Sequence, residues 1–268
     1  MACFPWFSRA LGRFFLTAGL AVNLLCLFPL ASRAGEMRVA VPSTGLAFSV
    51  AQVSVTGFAS RQRLVTDASL AGLNGCLAYC EVVNRVWLAL QPAFQAQEDE
   101  VDLRLVVLRS AAVDAVAFPD GTLVISENFI ARCGLDEAQI AFVLAHEAAH
   151  VLVQHERQAL TSMLALSPSR LARTPDDLYI EMEYSYFSMS ESYAFISQQG
   201  EFEADEIGMQ LAALAGFAPQ LQLKFMEQRA TQAPESSMYA THPPDSERLT
   251  RLRDQMPLAL RLFQFGRE

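Results

Sequence analysis

Lysine is nearly missing from this chain. Lys224 is the only one among 20 basic residues, and 29 acids outnumber them over 268 positions. No polybasic stripe can hide in such a composition, which argues against nucleic acid as a partner and gives no reason for attraction to anionic lipid. Histidine is scarce as well, at four, so any two at ligand spacing carry weight. Cysteine is too thin for a disulfide scaffold: of five in all, only Cys76, Cys80 and Cys133 lie beyond residue 34, and neither spacing resembles a zinc knuckle. Cys76 and Cys80 read either as a disulfide or as buried thiols, because four-apart cysteines on a regular helix sit at the edge of disulfide geometry. Charged residues are 18% of the chain against 52% hydrophobic, which excludes disorder and allows a sizeable core.

What is present begins with a long apolar run. Arg9 and Arg13 lead into residues 14–30, almost wholly apolar, and Ala31-Ser32-Arg33-Ala34 follows, so residues 1–34 read as a cleaved export signal. The run nears the ~20 residues that span a bilayer, so an uncleaved inner-membrane anchor through residues 14–31 is the alternative. Cys26 is discounted as a lipid-attachment site because Leu24 and Leu25 before it are bulky. Beyond this segment 17 basic residues face 29 acidic ones, a net charge of minus 12. Residues 35–70 form a segment of unread role, with 38–41 and 50–55 as short strand candidates, and residues 71–268 form one domain. The expected location is the periplasm or cell envelope.

Helical and strand patterns alternate along that domain. Val82, Val83, Val86, Trp87 and Leu90 recur at helical spacing and predict a packing helix over 77–90, stopping before Pro92. Residues 101–108 and 113–118 predict strands, and Pro119-Asp120-Gly121 turns the second of them into a third over 122–126. A short helix is expected over 127–133, capped by Ser126 and ended by Gly134. Asp136 with Gln139 forms a capping-box pattern that opens a helix expected to run to residue 165, before Pro168. Residues 169–199 read as helix or loop packed round the site, or as a mobile lid. The fold class is therefore mainly helical α+β, with a small antiparallel or mixed sheet beside the long helix.

That helix carries His146-Glu147-Ala148-Ala149-His150. Histidines four apart point about 40° from one another, so their ring nitrogens can converge on one metal ion. Glu147 is rotated about 80° from their mean direction, which puts its carboxylate beside an open coordination position, where a general base belongs. His155 projects to the far side of a continuous helix and is not expected to be a ligand of the same ion. A metzincin would need Gly and His where Val153 and Glu156 stand, which excludes that class. The remaining common arrangement takes a glutamate from a second helix. Glu201 is the candidate, and Asp205, one turn on, can hold a ligand histidine by its other ring nitrogen. Glu203 should point away as a solvated acid. A plain surface helix is the other reading of this acidic stretch taken alone.

Four pieces together, His-Glu-Ala-Ala-His at 146–150, Glu-Phe-Glu-Ala-Asp at 201–205, Ala-Gly-Phe-Ala-Pro at 215–219, and Thr241-His242-Pro243 with Glu247-Arg248-Leu249, carry a resemblance. The chain resembles the HtpX-like and CAAX-prenyl-endopeptidase-like family of gluzincin metallopeptidases, particularly short exported bacterial members. The resemblance implies a zincin-like core and one Zn²⁺ per chain on His146, His150 and Glu201, with Glu147 as catalytic base. It gives His242 a catalytic role, either steadying the developing oxyanion or closing the metal in a latent state, and it makes Arg248 a holder of the same loop or a surface charge. Where relatives show an Asn-Ala pair before the metal helix, Asp114-Ala115 stands here, followed by Val116. These three are the expected substrate-binding residues, with an extended polypeptide paired along a strand edge. The implied function is endopeptidase action on exported or envelope proteins in quality control. The alternative is a latent, chaperone-like zinc protein that binds clients with little cleavage.

Overall fold

A computed structural model describes residues 45–97, 101–111, 113–166, 174–184, 186–232 and 243–267. Among them the chain runs α1 (Val50–Leu70), α2 (Cys80–Gln95), β1 (Arg104–Leu108), β2 (Ala115–Ala117), β3 (Thr122–Ser126), α3 (Glu127–Cys133), α4 (Glu137–Leu152), α5 (His155–Leu166), α6 (Pro175–Tyr184), α7 (Tyr186–Leu214), α8 (Pro219–Gln232) and α9 (Asp245–Phe265). The fold is mainly helical α+β, with a three-stranded mixed sheet in the order β1-β3-β2. β3 is the central strand, parallel to β1 with Arg104 opposite Thr122, and antiparallel to β2 with Ala117 opposite Leu123. The turn between β2 and β3 is the one the Pro-Asp-Gly triplet predicts, and Gly121 takes a φ of +86° there.

Central placement explains why β3 is apolar throughout and buried at every position. Leu123 and Ile125 face the main core, and Val124 faces a smaller cluster with Ala68 and Leu108. The main core lies between the sheet, α2, α4, α7, α8 and α9. Ile140, Phe142 and Leu144 on α4 are at most 1% exposed, and each such side chain contributes about 1.5–3 kcal/mol of burial.

Two element expectations are corrected. Residues 50–55 are not a strand but the start of α1, whose Ser49 and Gln52 form a capping box. Its Val-rich start reads as β-prone, yet Val53, Gly57 and Ala68 are buried from one helix, Val53 with Leu160, Met163 and Leu178 and Ala68 on the sheet's outer face. The other strand candidate, 38–41, lies outside the described residues. α2 continues through Pro92 for one more turn, losing a backbone bond but burying Phe94 completely against Trp87, ring centroids 5.6 Å apart.

Cys76 and Cys80 pair as a disulfide with Cα atoms 5.5 Å apart. Only Cys80 lies on α2, so the geometry of a regular helix does not constrain the pair. No helix among the described residues is long and apolar enough to cross a membrane. Residues 1–34, expected as an export signal or anchor, lie outside the description.

Candidate active site

α4 starts at the Asp136–Gln139 capping box and delivers His146, Glu147 and His150 in its last two turns. It stops at Leu152 rather than running on to residue 165. Gln154 adopts a φ of +60°, and α5 sets off in a new direction from His155. A non-glycine residue in that region costs on the order of 1–2 kcal/mol. Local bonds offset it: Arg157 Nη1 donates to Gln154 Oε1 at 2.8 Å, and Gln158 Nε2 donates to the Val153 carbonyl at 2.7 Å.

α7 crosses α4 at Gly208, and this contact brings Glu201 to the two histidines. Nε2 of His146 and Nε2 of His150 are 3.2 Å apart, and the Glu201 carboxylate lies 3.5 and 3.4 Å from them. All three ligand atoms fall within 4.8 Å of one another, a set able to hold a metal ion. The donors are two imidazoles and one carboxylate, which suits zinc. Burial alone would lower the His146 pKa, but Asp205 and Glu201 overcome it and raise it to about 10. The cluster draws positive charge, and a divalent cation would supply it.

Behind the ligands are two chains of holders. In the first, Asp205 Oδ1 lies 3.0 Å from His146 Nδ1, as the four-residue spacing from Glu201 predicts. Arg248 on α9 donates from Nε and Nη2 to the two carboxylate oxygens of Asp205, at 2.6 and 2.7 Å, and its Nη1 lies 3.5 Å from Glu201. Burial raises the Asp205 carboxyl, yet Arg248 and His146 outweigh this and bring it down to about 2. Arg248 is buried, so the surface-charge reading is wrong; it faces the acids that hold the histidines.

The second chain was not legible in the sequence. Because the helix breaks at Gln154, His155 turns back instead of projecting to the far side, and its Nδ1 comes 2.9 Å from His150 Nδ1. Its Nε2 lies 3.2 Å from Glu203 Oε2. Glu203 is half exposed but not simply solvated, a second correction. If His150 offers Nε2 to an ion, its Nδ1 keeps the proton and donates to His155, which must then carry its own proton on Nε2 and donate to Glu203. Burial lowers the His155 pKa, and His155 lowers that of Glu203, which fits a neutral ring against a carboxylate. No glycine or proline marks the break, so periodicity had nothing to detect it by.

A cavity of about 530 Å³ opens in front of this cluster, lined by His146, Glu147 and His150 on one side and by Ala115, Val116 and Ala117 of β2 on another. β2 is the end strand of the sheet. Asp114 departs from expectation: it does not line the cavity, and Arg132 Nη2 on α3 takes its carboxylate at 2.5 Å. His242, expected near the metal, lies outside the described residues.

Comparison with known proteins agrees with this geometry. The chain is 26% identical over 182 residues to the beta-barrel assembly-enhancing protease of Escherichia coli (strain K12), covering 63% of this chain and 37% of that protein. It is 28% identical over 162 residues to the mitochondrial metalloendopeptidase OMA1 of Schizosaccharomyces pombe, covering 58% of this chain and 47% of the relative. It thus spans less than half the length of these relatives. Residues 81–256, which include every member of the cluster from His146 to Arg248, match the model of peptidase family M48, and the chain belongs to that family.

Proposed function

We propose that the protein is a zinc-dependent endopeptidase that hydrolyses peptide bonds of polypeptides in the cell envelope. The observation that carries this reading is the meeting of His146, His150 and Glu201 at one point, with Glu147 lining the cleft beside them. One zinc ion per chain would supply a Lewis acid for the scissile carbonyl and lower the pKa of water toward ~7. Glu147 takes the proton of the attacking water and returns it to the leaving amine nitrogen, a contribution of about 10²- to 10⁴-fold. Asp205 and Arg248 hold His146 and Glu201; His155 and Glu203 hold His150. The extended substrate lies against β2, pairing through its backbone as an added strand, with Ala115 and Val116 offering little side-chain bulk to obstruct it.

The envelope location rests on residues 1–34 as an export signal, or an anchor if uncleaved, and on the beta-barrel assembly-enhancing name of the bacterial relatives. Quality control of envelope proteins is the role that fits both. The test is Glu147→Gln in the full chain. It should keep one zinc per chain and lose cleavage of an unfolded protein such as casein; retained cleavage would remove the base from Glu147. His242→Ala, assayed alongside, raises activity if that histidine closes the metal and lowers it if it steadies the oxyanion.

A further inference from the structure

Glu156 is a half-buried acid of the cleft that the proposed chemistry leaves unused. It stands in the first turn of α5 and lines the same cavity as Glu147 and His150. Among the described residues its polar partner is the hydroxyl of Tyr179, which donates to Oε1. No described cation pairs with it. Arg157, the neighbouring cation in the lining, is committed elsewhere, with Nε on the Phe48 carbonyl and Nη1 on Gln154. Burial without a positive partner pushes the Glu156 carboxyl up to about 7.

The wall beside it comes from α1, an element that precedes the residues matched by the family model. Val50 and Val53 line the cavity from this helix, together with Ala159 and Ser162 from α5. α1 is held in place by its crossing of the β2–β3 turn. Ser54 Oγ donates to the Pro119 carbonyl at 3.1 Å, Arg61 Nε meets Asp120 Oδ2 at 2.9 Å, and a Cβ on Gly57 would lie 2.7 Å from Pro119 Cδ. Thr56 adds a bond to Asp176 of α6 at 3.1 Å. The wall is therefore a fixed part of the cleft.

We propose that this end of the cleft is a subsite for a lysine or arginine side chain of the polypeptide substrate, its stem along Val50 and Val53 and its charged head on Glu156. The inference rests on the endopeptidase reading and adds substrate preference to it. A carboxylate partly withdrawn from water without a cation is destabilised, and an arriving ammonium or guanidinium relieves this while donating a charge-assisted hydrogen bond. Apolar walls around one acid select a long side chain with a charged tip, because the methylenes of lysine or arginine lie against the valines while the head reaches the oxygen. Hydrogen bonds to charged groups discriminate by about 10- to 100-fold.

The experiment profiles cleavage of a peptide library by the zinc-loaded full chain. It then compares kcat/KM for two matched peptides that differ only by arginine or norleucine at the preferred position. The ratio should be about tenfold or more in the parent and near one in Glu156→Gln, whose amide keeps a partner for Tyr179. A parent ratio near one, or an unchanged ratio in the variant, overturns the proposal. The same two peptides are titrated calorimetrically into zinc-loaded Glu147→Gln, alone and combined with Glu156→Gln. There too arginine should bind about tenfold tighter only while Glu156 is present, and equal binding overturns the subsite. Should the parent cleave nothing, the endopeptidase reading falls, and a peptide set carrying arginine or norleucine at each position in turn, titrated in the same way, still decides the subsite. If Glu156→Gln does not fold, the parent and Glu147→Gln ratios decide it.

Discussion

Gly208 on α7 lies directly against the backbone of His146 on α4: a Cβ built on Gly208 would sit 2.8 Å from both Cα and N of His146. The two helices touch without side chains at this point, and that approach sets how far Glu201 and Asp205 reach toward His146 and His150. Gly208→Ala should force the helices apart, costing about 1–3 kcal/mol by overpacking. Zinc content should fall with it. Urea unfolding and metal analysis of the same sample check both outcomes, and an alanine variant with full zinc content would mean that the contact does not govern the site.

Arg248 and Asp205 form a buried pair with two hydrogen bonds, at 2.6 and 2.7 Å. Arg248→Met removes the cation paired with the buried Asp205 and leaves it only its contact with His146, which should destabilise the fold by about 3–5 kcal/mol. Arg248→Lys should restore only part of this, since an ammonium cannot reproduce the two-pronged contact. Equilibrium unfolding of the three proteins gives the ranking, and a lysine variant as stable as the parent would count against the paired geometry.

His155→Phe removes the partner of His150 Nδ1 and should weaken zinc binding about 10- to 100-fold. Glu203→Gln should act in the same direction but less, because Glu203 is 49% exposed and water can replace it. Competition with a chelator of known affinity measures both. His155→Gln, which keeps a polar atom near His150, should recover part of the loss; a purely packing role for His155 predicts no recovery.

Glu127 accepts backbone N–H bonds from Leu77 and Tyr79, at 3.0 and 2.7 Å, and from Ala78. Burial acts to raise its pKa, but these donors prevail and the pKa lies below the ordinary 4.5. A carboxyl lowered on folding adds stability that is present above its unfolded pKa and is lost as pH falls through the folded value. The parent should therefore be more stable than Glu127→Gln at pH 7. The gap should close as pH falls below the ordinary carboxylate value of 4.5. Unfolding curves across that range test the sign, and a gap that widens in acid would contradict it.

The helix break at Gln154 shows where reading residues in order stops working. Histidines 146 and 150 share one regular helix, so their convergence follows from 3.6-residue periodicity, and the same holds for Glu201 with Asp205. His155 and Glu156 depend on one left-handed residue that nothing in its neighbourhood marks, so both were misjudged or left without a role. The expected strand over 50–55 failed for a related reason. Valine's preference for strands is weak against burial of a helix face, here Val53 with Leu160 and Met163 of α5 and Leu178 of α6.

The chain by itself determined the two histidines and the glutamate between them, the glutamate–aspartate pair, the β2–β3 turn, the cap that opens α4 and the mixed α+β class. Each is set by residues within a few positions of one another, where backbone geometry leaves few choices. Only the tertiary structure decided that α7 meets α4 through Gly208, that Arg248 on a distant helix closes on Asp205, and that Asp114 turns away to Arg132. It also decided that α1 walls the cleft beside Glu156. Those relations join residues far apart in the chain, and they are set by which surfaces bury one another, a property no local pattern contains.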